Sequence, residues 1–199
     1  MSIVLLGSTS GSVTLQEPAV AGTTVFNLPA TTGTVALTSQ LGVTEADQWR
    51  LTTKITTVVS QTVLSTNWER SDTYGAGYIG TGMTQSSGVF TFPSTGTWLI
   101  QIAAYIAVDG SQRYNAIVIQ TTTDNSTYND AAYASQSISR VNSNFTVGSI
   151  YTFFIFNVTN TTNCKVRFTQ ACEGTAGNIG GDTNANGTSA NFIRLGAST

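Results

Sequence analysis

Large apolar residues alternate with small polar ones along most of this chain. The alternation is sharpest over residues 88–102, GVFTFPSTGTWLIQI. Phe90 and Phe92, then Trp98, Ile100 and Ile102, fall on every second position, the period of a strand with one buried face. Pro93, Ser94, Thr95 and Gly96 interrupt the run with residues that favour a turn. The pattern predicts a tight two-strand unit feeding a sheet core. Comparable alternation predicts strands near 49–55, 63–70, 76–80, 87–92, 97–107, 114–122, 132–139, 148–158, 164–170 and 190–195. Polar turns separate them at 71–75, 109–112 and 124–130, and a long Gly-rich loop at 174–187 precedes the last strand. Strands in this number and spacing predict an antiparallel sandwich.

Two runs break the alternation. Residues 98–108 (WLIQIAAYIAV) and 150–156 (IYTFFIF) are apolar on both faces over part of their length. An antiparallel strand with one wet face should alternate. A strand apolar on both faces is covered on both sides, so these runs predict a subunit interface and an oligomer.

Residues 1–39 differ from the rest. They contain one acidic residue, Glu17, and no basic one. Short strands are predicted at 12–16, 23–28 and 34–38, with breaks at Pro18, Gly22, Pro29 and Gly33. So few large residues cannot bury a core, so the segment is expected to need a partner surface. Residues 40–48 read as a connector, in which Thr44 and Asp47 could cap one helical turn. The division is therefore 1–39 as an attachment segment, 40–48 as a connector and 49–199 as the main domain.

Composition supports strands. Threonine supplies 35 of the 199 residues, and charged residues only 9 %, which favours sheets over helices. The net charge of −2 argues against nucleic acid or a membrane surface as partner. No run reaches the roughly 18 apolar residues of a membrane helix, and the N-terminus lacks the features of a signal peptide. The chain is therefore expected to be made in a cytoplasm.

Little catalytic chemistry is visible. There is no histidine, which removes the commonest general base and metal ligand. Glu45 and Asp47 read as solvated connector charges, and Glu69 and Asp72 as surface partners of Arg70. Cys164 and Cys172 would be roughly 26 Å apart on one strand, too far for a disulfide. Asp182, Asn184 and Asn186 offer oxygen atoms but too few carboxylates for calcium. No enzyme activity, cofactor or metal is expected.

The string GVFTFPSTGTWLIQI resembles the F-x-F-P-x-x-G-x-Y-x-F core signature of the complement globular-head/tumour-necrosis-factor jelly roll, matching at Phe90, Phe92, Pro93, Gly96 and Ile100, with Trp98 at the usual tyrosine. Residues 191–196 (NFIRLG) resemble that family's terminal strand, which runs through the centre of a sheet. The resemblance implies a ten-stranded jelly roll over 49–199, packed as a threefold trimer with aromatic residues about the axis. Phe90, Phe92, Trp98, Phe154, Phe156 and Phe192 are the candidates for core or trimer contacts. The leader GSTSGSVTLQEPAVAGTTVFNLPATTGTVALTS is similar to the repeat-like start of tail-fibre and other virion proteins of tailed phages. It implies a virion surface protein that docks on other virion proteins through 1–39. Two roles follow: a homotrimeric fibre or spike component binding a host-surface glycan, or a trimeric decoration protein that cements a capsid. Tyr74 and Tyr128, at polar turns, are the candidate ligand-facing residues.

Overall fold

The structure, a computed structural model, describes residues 3–6, 9–15, 22, 23, 25, 42–57, 59–142, 144–174 and 177–199. The chain divides into two compact units, Met1–Leu37 and Thr38–Thr199. In the first, β1 (Ile3–Leu6) pairs with β2 (Ser12–Leu15) as an antiparallel hairpin. Val4, Leu5 and Leu6 are all more than half exposed, and a lone two-stranded hairpin is marginal in water. The strands expected at 23–28 and 34–38 lie outside the described residues, apart from Thr23 and Val25.

The second unit is all strand among the described residues. It comprises β3 (Ala46–Leu51), β4 (Ile55–Thr56), β5 (Thr62–Val63), β6 (Trp68–Arg70), β7 (Thr84–Ser86), β8 (Val89–Thr91), β9 (Gly96–Val108), β10 (Gln112–Thr122), β11 (Asn129–Ile138), β12 (Thr146–Val158), β13 (Lys165–Cys172), β14 (Gly177–Ile179) and β15 (Ser189–Gly196). Sheet I has the order β6-β3-β15-β9-β12, and sheet II the order β7-β8-β13-β10-β11. These ten antiparallel strands form the jelly roll. The two-residue β5 pairs with β13, and the short β14 and β4 extend sheet I beside the far end of β9. The C-terminal strand β15 lies between β9 and β3, the central place the family resemblance implies.

The 88–102 stretch is not a hairpin. Strand β8 belongs to sheet II and β9 to sheet I, and the turn between them crosses the sandwich. Both strands still point their large residues inward, so Phe90, Phe92, Trp98, Ile100 and Ile102 are each at most 1 % exposed. Phe90 is the hub: its ring centroid lies 5.5 Å from Trp49, 5.3 Å from Trp68, 5.6 Å from Phe168 and 5.0 Å from Phe192. Such edge and tilted contacts add to the burial of each ring. Gly88, at φ +77°, lies in the turn just before β8, where a Cβ would lie 2.3 Å from the Leu64 carbonyl oxygen, so only glycine fits.

Four local expectations change. Residues 76–80 are not a strand: Tyr74, Gly75 and Gly80 take positive φ, and only Ile79 bridges to Ala46. The strand of that region is β7, farther along. Strand β14 arises inside the stretch read as loop, because β15 stops pairing with β9 at Ala103 and leaves the backbone of Ile106–Val108 in need of partners. Strand β3 begins at Ala46, within the stretch read as connector. Residues 44–47 therefore form no helical turn. Cys164 and Cys172 are both buried at opposite ends of β13, and the Cys172 thiol donates to the Gly174 carbonyl at 2.8 Å.

Candidate interaction surfaces

The longest ladder in the molecule joins β9 to β12 along all thirteen residues of each strand. Its register sets which apolar residues face water. Trp98, Ile100, Ile102, Ala104 and Ile106 of β9 point inward and are buried, as are Ile150, Phe156 and Val158 of β12. The alternate positions of β12 place Val147, Tyr151, Phe153 and Ile155 on the solvent side of sheet I, 52–56 % exposed. Ile155 lies opposite Leu99, Phe153 opposite Gln101 and Tyr151 opposite Ala103.

Three rows of side chains cross this solvent face, since directly paired residues share a side. One is apolar: Ala46, Ile193, Leu99 and Ile155. The next is Gln48, Asn191, Gln101 and Phe153. Here Gln48 Nε2 donates to Asn191 Oδ1 at 2.6 Å, and Gln101 Nε2 donates to the Tyr151 hydroxyl at 2.7 Å. The third is Arg50, Ser189, Ala103 and Tyr151. The face thus runs from amide-rich on β3 and β15 to apolar on β12.

Arg50 is 1 % exposed although it sits on the solvent side of β3. Loops 71–76 and 182–187 cover it. Its Nε donates to Glu69 at 2.8 Å, Nη2 to Asp72 at 2.5 Å and Nη1 to Thr73 at 2.8 Å. Burial removes hydration from the guanidinium, but the two carboxylates outweigh that and raise its pKa. The loops are tied further by Thr73 to the Asn184 carbonyl, Ser71 to Asn186, and Asn186 to Gln48. They enclose a hollow of about 440 Å³ lined by Gln48, Arg50, Tyr74, Asn184 and Asn186. Asp182 spends Oδ1 on the backbone N–H groups of Asn184 and Ala185, closing its own turn.

The ion pairs differ from the expected ones. Glu69 and Asp72 serve Arg50, and Arg70 pairs with Asp47. Asp47 is 4 % exposed and far from a solvated connector charge. Its carboxylate accepts from Arg70 Nε at 3.0 Å, Trp49 Nε1 at 2.9 Å and the Met83 N–H at 2.7 Å. The Arg70 guanidinium lies 5.1 Å from the Trp49 ring centre and 4.5 Å from that of Tyr78. Both oxygens of the buried Asp47 carboxylate thus accept hydrogen bonds, which offsets the cost of taking its charge out of water. Glu45, by contrast, accepts from the N–H groups of Thr81 and Gly82.

All six aromatic candidates face the interior. Phe90, Phe92, Trp98, Phe156 and Phe192 are buried, and Phe154 packs against the same core. None lies on the exposed face, whose aromatics include Tyr105 of β9 and the neighbouring Tyr151 and Phe153 of β12. Composition could not separate Phe153 from Phe154, because both phases of this strand are apolar. Tyr74 is 90 % exposed at the rim of the Arg50 hollow. Tyr128 is half-buried, its ring 3.9 Å from the Arg167 guanidinium.

The fold has relatives of known structure. Eiger TNF from S. frugiperda superposes with a TM-score of 0.57 over 77 % of this chain and 94 % of its own, at 11 % identity. The architecture is that of the TNF jelly roll. Murine APRIL matches at TM-score 0.52 over 76 % of this chain and 99 % of its own, at 10 % identity. PRD1 vertex protein P5, at TM-score 0.47 and 14 % identity, falls below the level that establishes a common fold. No protein family and no curated protein matches the sequence. No described helix is long and apolar enough to cross a membrane.

Proposed function

We propose that this chain is a non-enzymatic structural protein of a tailed-phage virion that assembles as a homotrimer through the solvent face of sheet I. One observation carries the reading: β12 shows water an apolar run of Tyr151, Phe153 and Ile155, with Val147 beyond Ser149, on a strand fully paired on one side by β9. A monomer has no use for such a run, and a second copy would cover it. Threefold packing is what the jelly-roll resemblance implies, and the virion role rests on the leader resemblance in residues 1–39. The exposed β1–β2 hairpin suits a segment that folds against other virion proteins.

Within that reading the protein is a fibre or spike component whose jelly-roll head faces a host-surface glycan. The alternative, a capsid decoration protein, is favoured by the short stretch between the leader unit, ending at Leu37, and β3, which leaves no room for a shaft. Light scattering on the full chain tests the assembly: the expected mass is three times 20.9 kDa, and a monomer would remove it. Copy number per virion separates the roles, tens or fewer for a tail component and hundreds for decoration.

A further inference from the structure

The solvent face of sheet II, opposite the apolar face of sheet I, carries a polar cluster. At its centre is Gln120 of β10, 9 % exposed. Its Nε2 donates to Asp130 Oδ1 at 2.7 Å, and its Oε1 accepts from Arg167 Nε at 2.7 Å. Gln61 Nε2 donates to the same Asp130 oxygen at 2.9 Å and to Thr169 at 3.0 Å. The Arg167 guanidinium lies over the Tyr128 ring, 3.9 Å from its centre. One buried amide therefore holds a carboxylate and a guanidinium side by side without letting them form an ion pair. Among the described residues, nothing hydrogen-bonds Asp130 Oδ2 or the two terminal nitrogens of Arg167.

A bulge completes the arrangement. In the β10–β11 register Ile119 pairs with Ala132 and Gln120 with Asp130, so Ala131 is the extra residue. Three positions apart on a regular strand, Asp130 and Tyr133 would face opposite sides; the inserted residue puts both on the solvent face. Tyr133 lies opposite Val118, next to the cluster, and is 74 % exposed.

We propose that Asp130, Gln120 and Arg167, with Tyr133 as an apolar platform, form a binding site for a neutral saccharide. Two adjacent ring hydroxyls match the open atoms: one donates to Asp130 Oδ2, and its neighbour accepts from Arg167. The C–H face of the same ring lies on Tyr133. The carboxylate repels an anionic ligand, and a single guanidinium is too little charge for a nucleic acid. Shallow sites of this kind gain strength from repetition, which a homotrimer supplies. The inference deepens the glycan-binding reading above and rests on it for the ligand's source.

The test is saturation-transfer NMR on the full chain with neutral hexose, neutral N-acetylhexosamine and uronic-acid tetrasaccharides. Saturation of ring protons in at least one neutral tetrasaccharide is expected. Affinity should fall at least tenfold in Asp130→Asn and in Tyr133→Ala and stay unchanged in Tyr74→Ala. Loss in Tyr74→Ala alone would place the saccharide at the Arg50 hollow, overturning this site and sparing the glycan reading. Binding of the uronic-acid probe only, or of none, would overturn the ligand class. A silent panel with a trimeric mass would do so while leaving the assembly reading intact.

Discussion

Replacing Phe153 by aspartate is the sharpest probe of the apolar face. A phenylalanine side chain offers on the order of 200 Å², and Phe153 leaves 56 % of itself in water. Covering that remainder with a second copy removes about 100 Å², worth about 2.5 kcal/mol per subunit at about 25 cal/mol per Å². Three such sites in a trimer amount to about 7 kcal/mol, a factor of about 10⁵ in the association constant. A carboxylate forced into the contact adds a desolvation cost on top. The folded subunit loses little, since the side chain already faces solvent. Phe153→Asp should therefore run as a folded monomer by light scattering, with an unchanged far-ultraviolet circular dichroism spectrum. Phe154→Asp, one residue along, is the contrast. Phe154 packs against the core beside Phe156, ring centroids 6.3 Å apart, so its loss should unfold or aggregate the chain. A Phe153→Asp protein that stays trimeric at nanomolar concentration would refute the assignment of this face to self-association.

Other perturbations probe the interior and the turns. Phe90→Ala removes the hub of the aromatic cluster and should lower stability by about 4 kcal/mol, read by denaturant unfolding at fixed protein concentration. Asp47→Ala leaves the Met83 N–H and the Trp49 indole N–H without their acceptor; a loss of about 2 kcal/mol is expected in the same assay, and a near-neutral result would remove the case for this carboxylate as a structural pin. Asp124 accepts from the Thr127 and Ser126 N–H groups and from the Thr122 hydroxyl, which holds its pKa below the ordinary carboxylate value. Because the folded value is the lower one, its contribution is present at neutral pH and fades as pH falls below about 4. Asp124→Asn should accordingly flatten the acid limb of the stability curve, measured by melting temperature between about pH 5 and pH 2.

Much of the architecture was legible in residues 88–102 and in the strands after them. The period of two places Phe90, Phe92, Trp98, Ile100 and Ile102 in the interior whatever sheet each strand joins. Sheet membership was not legible, since β8 and β9 aim at the same core from opposite sides. Strand β14 was hidden because its partner is a stretch of β9 left open by the end of β15, a vacancy that exists only once the sheet forms. The charged residues were misassigned for a related reason. Arg50 and Asp47 sit on the same strand, β3, but on opposite faces, and their partners come from β6 and from loops that sequence distance cannot bring together. In the polar cluster of sheet II, Asp130 and Tyr133 stand at a spacing that strand periodicity assigns to opposite faces, and a bulge overrides it.

Residue type and spacing alone thus specify a strand-built sandwich with an aromatic interior, the absence of histidine chemistry, and two strands, β9 and β12, too apolar for one wet face. These follow from residue type and from a period of two, which are local properties. Which phase of β12 faces water, which cations meet which carboxylates, and which polar side chains share a surface are set by the packing of strands distant in sequence. Each depends on strand register, and a slip of one residue exchanges Phe153 for Phe154 and turns an exposed face into a core.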